Sequence, residues 1–492
     1  MSRVTSVRLI LALLVAALLP VLAGCGSGSD VGGAADVVPA DVFVYASVDT
    51  DFDGDGWAAL EEFAARFPEG DNLMQSLAEE LSDENVDFET DVKPALGPEV
   101  AFVVLRAPAP PDLEQVVLLL QPDDDAAFQR LLETSDEPPV TDEVEGWTVV
   151  AEQQESLDLF RAGLDGPRLD SSEDFDRAME DLEDGALARV FVNGERLTEA
   201  YQADPSSAQQ LEALLPGGRM PSFGMTFGVE PDSVRIDGRA VFAGENPFAT
   251  DSYSANLPEK VPGDVLAYVS FNDLESAFSA FRDAAAESDP EAERQLGMAE
   301  GFLGVSLEED VLPLLSGEGA VYARQGAIIP EVTLVTEIEN EDEAMATLDQ
   351  IVQAARGFAP HLGSPTTVEI DGVEARELPV SPAMSLYYAA FDGLLVVTSS
   401  QEGIAALREE GDRLSDSEAF DDALDGAGVP GETQGFGYVD LQRAVPLFLG
   451  FAEAGDAATD EARGYLEPLQ SLVFYGDQDD ETASFTLFVG VE

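Results

Sequence analysis

Apolar and polar positions alternate through Val38-Pro-Ala-Asp-Val-Phe-Val-Tyr-Ala-Ser-Val-Asp49, and the run returns as Val261-Pro-Gly-Asp-Val-Leu-Ala-Tyr-Val-Ser-Phe-Asn272, identical at six of twelve positions. Each copy predicts a Pro-led turn and then a strand rich in β-branched and aromatic residues, the kind that opens a domain. The period then lengthens. Trp57, Leu60, Ala64 and Phe67 fall on one helical face until Phe67-Pro68-Glu-Gly70 stops the helix, and Leu274, Phe278 and Phe281 repeat the stripe. Stripes of this kind pack cores.

A second block pairs Val86, Glu89, Asp91, Val92, Pro94, Leu96, Glu99 and Ala101 with Val305, Glu308, Asp310, Val311, Pro313, Leu315, Glu318 and Ala320. Strands follow at Val100 to Leu105 and Ala320 to Ala323, then at Gln115 to Gln121 and Glu331 to Ile338. Pro122-Asp-Asp-Asp125 caps and charges a helix from Ala126 to Glu133. A third block matches Gly146, Val149, Val150 and Arg161 with Gly393, Val396, Val397 and Arg408, and Ser172, Glu173, Phe175, Asp176 and Ala178 with Ser417, Glu418, Phe420, Asp421 and Ala423. Each copy closes on two strands around an acidic turn, Phe223 to Val229 with Val234 to Phe242, and Leu472 to Tyr475 with Ala483 to Val489. Short turns between neighbouring strands imply hairpins. The expected fold is therefore α+β: two tandem homologous domains at 38–245 and 260–492, each a largely antiparallel sheet packed with helices, joined by a linker at 246–259.

Composition narrows the function. The 492 residues hold 98 Asp plus Glu against 24 Lys plus Arg, a formal net charge of -74, yet 45% are apolar, which is ordinary for a folded chain. Such a surface repels polyphosphate and excludes nucleic acid as a partner. It also repels anionic lipid headgroups, so membrane attachment needs a covalent or hydrophobic anchor. Cys25 and His361 are the sole Cys and His. No disulfide within the chain, no Cys-His or multi-His zinc site and no dithiol chemistry can be assembled from them.

The N-terminus supplies such an anchor. Arg3 and Arg8 precede an apolar run from Leu9 to Leu22, too short to span a bilayer, which ends in Leu22-Ala23-Gly24-Cys25. The segment resembles a bacterial lipoprotein signal with its lipobox. That resemblance implies removal of the signal peptide, residues 1–24, and lipidation at Cys25, placing the chain on the extracytoplasmic face of a cell membrane. Residues 25–37, rich in Gly and Ser, read as a flexible tether.

The run Val38 to Asp49, the acidic loop after it and the helix ending Arg66-Phe67-Pro68 together resemble the bacterial surface lipoproteins of the domain of unknown function 3352 family. The resemblance implies a secreted or lipid-anchored location and carries over no catalytic residues. The acidic loop has its own chemistry. Asp51, Asp53, Asp55, Gly56 and Glu62 stand at positions 1, 3, 5, 6 and 12 of a calcium loop, with the Trp57 carbonyl at position 7. Calcium is the one cofactor the sequence suggests; the other reading of the same residues is an acidic turn that starts a helix.

His361 sits in a Pro- and Gly-rich loop, with no Gly-x-Ser-x-Gly elbow in the chain and no complete phosphate-binding glycine loop. The expectation is therefore a non-enzymatic binding or interaction module of the cell envelope, its partner an envelope protein or a small ligand. The alternatives are a solute-binding lipoprotein of a transport system and a carboxylate-dependent envelope hydrolase.

Overall fold

The computed structural model describes residues 33–492 except 69, 83–85, 107–114, 135–137, 183–184, 245, 247–248, 277, 280–305, 327–328, 360, 383 and 454–459. The expected signal peptide at 1–24, Cys25 and the expected tether as far as residue 32 lie outside the described residues. No helix among the described residues is long and apolar enough to cross a membrane.

The chain forms two compact units, the first comprising Met1–Glu245, Thr459–Pro468 and Glu481–Glu492 and the second Asn246–Ala458 with Leu469–Asp480. Both are α+β, and every strand pairing within them is antiparallel. In the first unit the strands are β1 (Val44–Asp49), β2 (Glu99–Val104), β3 (Val116–Leu120), β4 (Val140–Val144), β5 (Trp147–Ala151), β6 (Ala188–Val192), β7 (Ser222–Glu230) and β8 (Ser233–Val241). They lie in the order β4-β5-β3-β2-β1-β6-β7-β8. The second unit contains β9 (Val265–Asn272), β10 (Glu318–Arg324), β11 (Glu331–Glu337), β12 (Thr366–Ile370), β13 (Val373–Ser381), β14 (Met384–Phe391), β15 (Leu394–Thr398), β16 (Phe436–Asp440) and β17 (Leu469–Gln478). Their order is β12-β13-β14-β15-β11-β10-β9-β16-β17. The repeated run thus becomes an interior strand of each sheet, β1 or β9, flanked by β2 and β6 in the first unit and by β10 and β16 in the second. The long helix Glu341–Phe358 and the hairpin β12-β13 enlarge the second copy, and neither announces itself in the repeat pattern.

One face of each sheet is the core. Tyr45 and Phe191 project from β1 and β6 onto Phe175 of the helix Glu173–Met179, with ring centroids 6.0 and 5.2 Å apart and nearly perpendicular planes. The second copy rebuilds this with Tyr268 and Tyr438 against Phe420 of the helix Glu418–Ala427, at 6.4 and 5.1 Å. Edge-to-face rings of this kind add roughly 0.5–1.5 kcal/mol per pair beyond their buried area.

Two segments depart from the sequence reading. Residues 246–259, expected as a linker, lie against the second unit: Tyr253 and Thr433 exchange backbone hydrogen bonds of 2.9 and 3.0 Å, and Leu257 is fully buried. Backbone pairing ties down what composition alone reads as loop. The closing strand expected to finish the second copy, β18 (Thr482–Val491), belongs instead to the first unit, pairing with β8 from Thr482↔Val241 to Gly490↔Ser233. Phe485 of β18 stacks on Phe223 at 6.2 Å, Thr486 donates to Asp237 at 2.6 Å, and Arg177 pairs with Glu481 at 2.7 Å. A chain ending at Asp480 should therefore lose protection in the first unit, with the β8 amides exchanging far faster than those of β11 in hydrogen-exchange mass spectrometry. Equal protection of β8 in full and shortened chains would contradict this account.

Candidate functional site

The acidic loop resolves into local jobs. Asp55 opens the helix Asp55–Ala64, so Glu62 lies about 10 Å farther along the axis. The Asp51 amide donates to the Asp49 side chain at 2.7 Å, Asp53 pairs with Lys93 at 2.8 Å, and the Trp57 indole N–H donates to the Asp49 carbonyl at 3.1 Å. Phe52 packs between Trp57 and Phe88, at 4.6 and 5.2 Å between centroids. Among the described residues no group of three or more His, Cys, Asp or Glu is gathered closely enough to hold a metal. Asp51, Asp53, Asp55, Trp57 and Glu62 are thus not brought together as a ligand set. His361 lies exposed in a turn.

The structure brings forward a different pair, Glu99 and Glu318, which the second block of identity matches but whose role spacing does not show. Glu99 heads β2 and is buried; it accepts hydrogen bonds from the Ala34 amide and from the Tyr45 hydroxyl, both at 3.2 Å. Ala34 begins a 3-10 turn, Ala34–Asp36, that precedes the repeated run. Glu318 heads β10 and accepts from the amides of Asn256 and Leu257 at 2.9 and 2.8 Å, at the start of the turn Leu257–Glu259. Each carboxylate supplies acceptors to a turn whose first N–H groups have none of their own. The fit leaves no slack: a Cβ on Gly33 would stand 2.7 Å from a Glu99 oxygen. Ala34, Ala35 and Val37, within the expected tether, are therefore buried in the core of the first unit.

A second clasp holds the same run. Val38 accepts from the Leu169 amide at 2.8 Å and Ala40 donates to Pro167 at 3.0 Å; Val261 and Gly263 make the matching bonds with Leu414 and Asp412 at 3.0 and 2.9 Å. Arg196 and Arg443 then reach back to the carbonyls of Asp41 and Asp264, at 3.1 and 2.7 Å.

Burial pushes both Glu99 and Glu318 above the usual carboxylate range, opposed by the amides they accept from. In the second unit burial also raises Tyr253 to about 12 and lifts Tyr268, whose hydroxyl has no hydrogen-bond partner among the described residues. The copies differ here, since the equivalent Tyr45 donates to its carboxylate.

They differ more on the opposite face of the sheet. In the first unit Ala46 of β1 is buried, and beside it Val44 and Phe102 pack with Leu197 and Ala200 of the helix Gly194–Gln202. Its counterpart Val269 is 40% exposed, beside cross-strand neighbour Val321 at 39% and in a row with Phe474 at 41%. The Phe474 ring lies on Gly437, where a Cβ would meet it at 2.0 Å, so the glycine keeps the surface flat. Val332 extends the apolar face onto β11, while Asp264, Asp273 and Asp477 stand at strand ends around it.

The family described as Protein of unknown function (DUF3352) matches residues 4–158 and 154–490. The chain belongs to this family. A search of curated proteins finds no match. Among solved structures, crystal form IV of TP0453 shares 10% identity at a TM-score of 0.24, over 46% of this chain and 76% of that one; form I gives 10% and 0.23, over 47% and 84%.

Because burial raises Glu99 and Glu318 in the folded state, their contribution to stability is full at low pH. It declines as pH rises past the unfolded value of about 4.3, where the unfolded carboxylate ionises first. In denaturant titrations the stability advantage of wild type over Glu99→Gln should shrink as pH rises above about 4.3, and likewise for Glu318→Gln. Parallel curves would count against burial raising these two carboxyl groups. Glu99→Ala, which orphans the Ala34 amide and the Tyr45 hydroxyl, should cost about 2–3 kcal/mol.

Proposed function

We propose that the chain is a lipid-anchored, extracytoplasmic interaction module of the cell envelope and does no covalent chemistry of its own. The reading is carried by the difference between the copies among the described residues: where Ala46 of the first unit is buried, the second presents Val269, Val321, Val332 and Phe474. Exposed apolar patches rimmed by polar residues mark interaction sites. The acidic flanks Asp273 and Asp477, on a chain of net charge -74, suit a protein that offers an apolar segment flanked by basic residues. The signal ending at Cys25 supports an address where such a partner would meet it.

In-cell crosslinking of the full chain should recover one reproducible envelope protein. Val269→Glu with Val321→Glu, which places charge on an already exposed face, should lower recovery about tenfold or more, the equivalent of about 1.4 kcal/mol. Recovery unaffected by that pair would remove the face from the proposal.

A further inference from the structure

The glutamate clasp that the two copies share is closed differently at its tyrosine. The register is the same: Asp49 pairs with Glu99 and Tyr45 with Val103 across β1 and β2, as Asn272 pairs with Glu318 and Tyr268 with Tyr322 across β9 and β10. Tyr268 therefore stands to Glu318 along the strands as Tyr45 stands to Glu99. Yet the Tyr45 hydroxyl donates to its glutamate at 3.2 Å, whereas the hydroxyl of the fully buried Tyr268 makes no hydrogen bond among the described residues.

Two neighbours set the second copy apart. Glu318 is engaged by the chain that leads into the repeat: its oxygens share the Asn256 amide, each at 2.9 Å, and one of them also takes the Leu257 amide at 2.8 Å. The other oxygen keeps a lone pair to spare. Tyr253, from the same stretch of chain and held there by its backbone pairing with Thr433, brings a second hydroxyl whose oxygen is buried and unbonded among the described residues. Ser270 lies beside Tyr253, but its own hydroxyl serves the Phe436 backbone, accepting from the amide at 3.2 Å. The three groups are neighbours electrostatically: besides burial, the Glu318 charge acts on both hydroxyls, and Tyr253 acts on Tyr268.

A phenol O–H taken out of water without an acceptor is costly, and such groups are rarely left so in a folded chain. Two of them beside a carboxyl with a free lone pair call for a small group that accepts twice and donates once. Water does both, and a buried water makes about three hydrogen bonds. A bound cation would need the carboxyl ionised, and burial works against the ionised form.

We propose that the second unit binds one internal water molecule, which accepts from the Tyr253 and Tyr268 hydroxyls and donates to Glu318, in place of the direct bond between Tyr45 and Glu99 in the first unit.

The test is hydrogen-exchange mass spectrometry on the full chain, read at the peptide holding the Asn256 and Leu257 amides and normalised to the peptide of β15, which reports the second unit as a whole. Tyr253→Phe, Tyr268→Phe and the double variant keep both rings and remove only hydroxyls. Each single change should lower protection about tenfold, and the pair should cost little more than either alone, because both hydroxyls act through the same water. Unchanged or improved protection in Tyr268→Phe overturns the proposal, since deleting a hydroxyl that bonds to nothing breaks nothing. A loss confined to Tyr268→Phe also overturns it, assigning a direct bond to Glu318 like that of Tyr45, and additive losses assign the two hydroxyls to separate partners. Replacing sodium and potassium by choline should leave wild-type protection unchanged; a fall would give the position to a cation instead.

Discussion

A carboxylate taken out of water must be given donors, and this fold gives them from the backbone. At the head of β2 and again at the head of β10, a buried glutamate receives the first amides of the 3-10 turn that leads into the repeated strand. The bond fastens the entry of each unit to the second strand of its sheet, and the repeated strand follows from that fixed point. Replacing such a group costs more than its net hydrogen-bond contribution, because the amides left behind are themselves buried. The remainder of the clasp is arranged around the same short run. Leu169 and Leu414 bond to its first residue, and Arg196 and Arg443 hold the carbonyl of its aspartate.

The duplication separates scaffold from specialisation within a single chain. The T-shaped aromatic group around Phe175 recurs around Phe420, and the capped helices after β6 and β16 begin alike. Side chains that do these jobs are answerable to packing, and packing tolerates few alternatives. Where the copies part company, the difference lies on the outer sheet face, Ala46 against Val269, and at the clasp, Tyr45 against Tyr268. The first change puts apolar area into water in the second unit.

Much of the architecture was legible in the chain. Alternation located the strands within a residue or two of β2, β3, β10 and β11, the Asp124 cap announced its helix, and three blocks of internal identity announced the tandem α+β plan. The candidate site was legible only as a coincidence, Glu99 matched with Glu318. Their amide donors are 65, 62 and 61 residues away, and no local pattern joins them. Gly-Gly-Ala-Ala at 32–35 reads as tether because small residues suit a linker. Gly33 and Ala34 are small here because a buried carboxylate stands against them.

Sequence by itself therefore determined the class of fold, the repeat, the net charge, and the position of strands such as β2, β3, β10 and β11. These follow from local periodicity, capping and net charge, which a linear chain carries in full. Only the tertiary structure decided that β18 completes the first unit, that the turn before each repeat is buried on a glutamate, and that Ala46 is buried in one copy while its counterpart Val269 is exposed in the other. Each depends on which distant segment lies against which face, a matter of long-range packing that hydrophobic pattern permits without specifying.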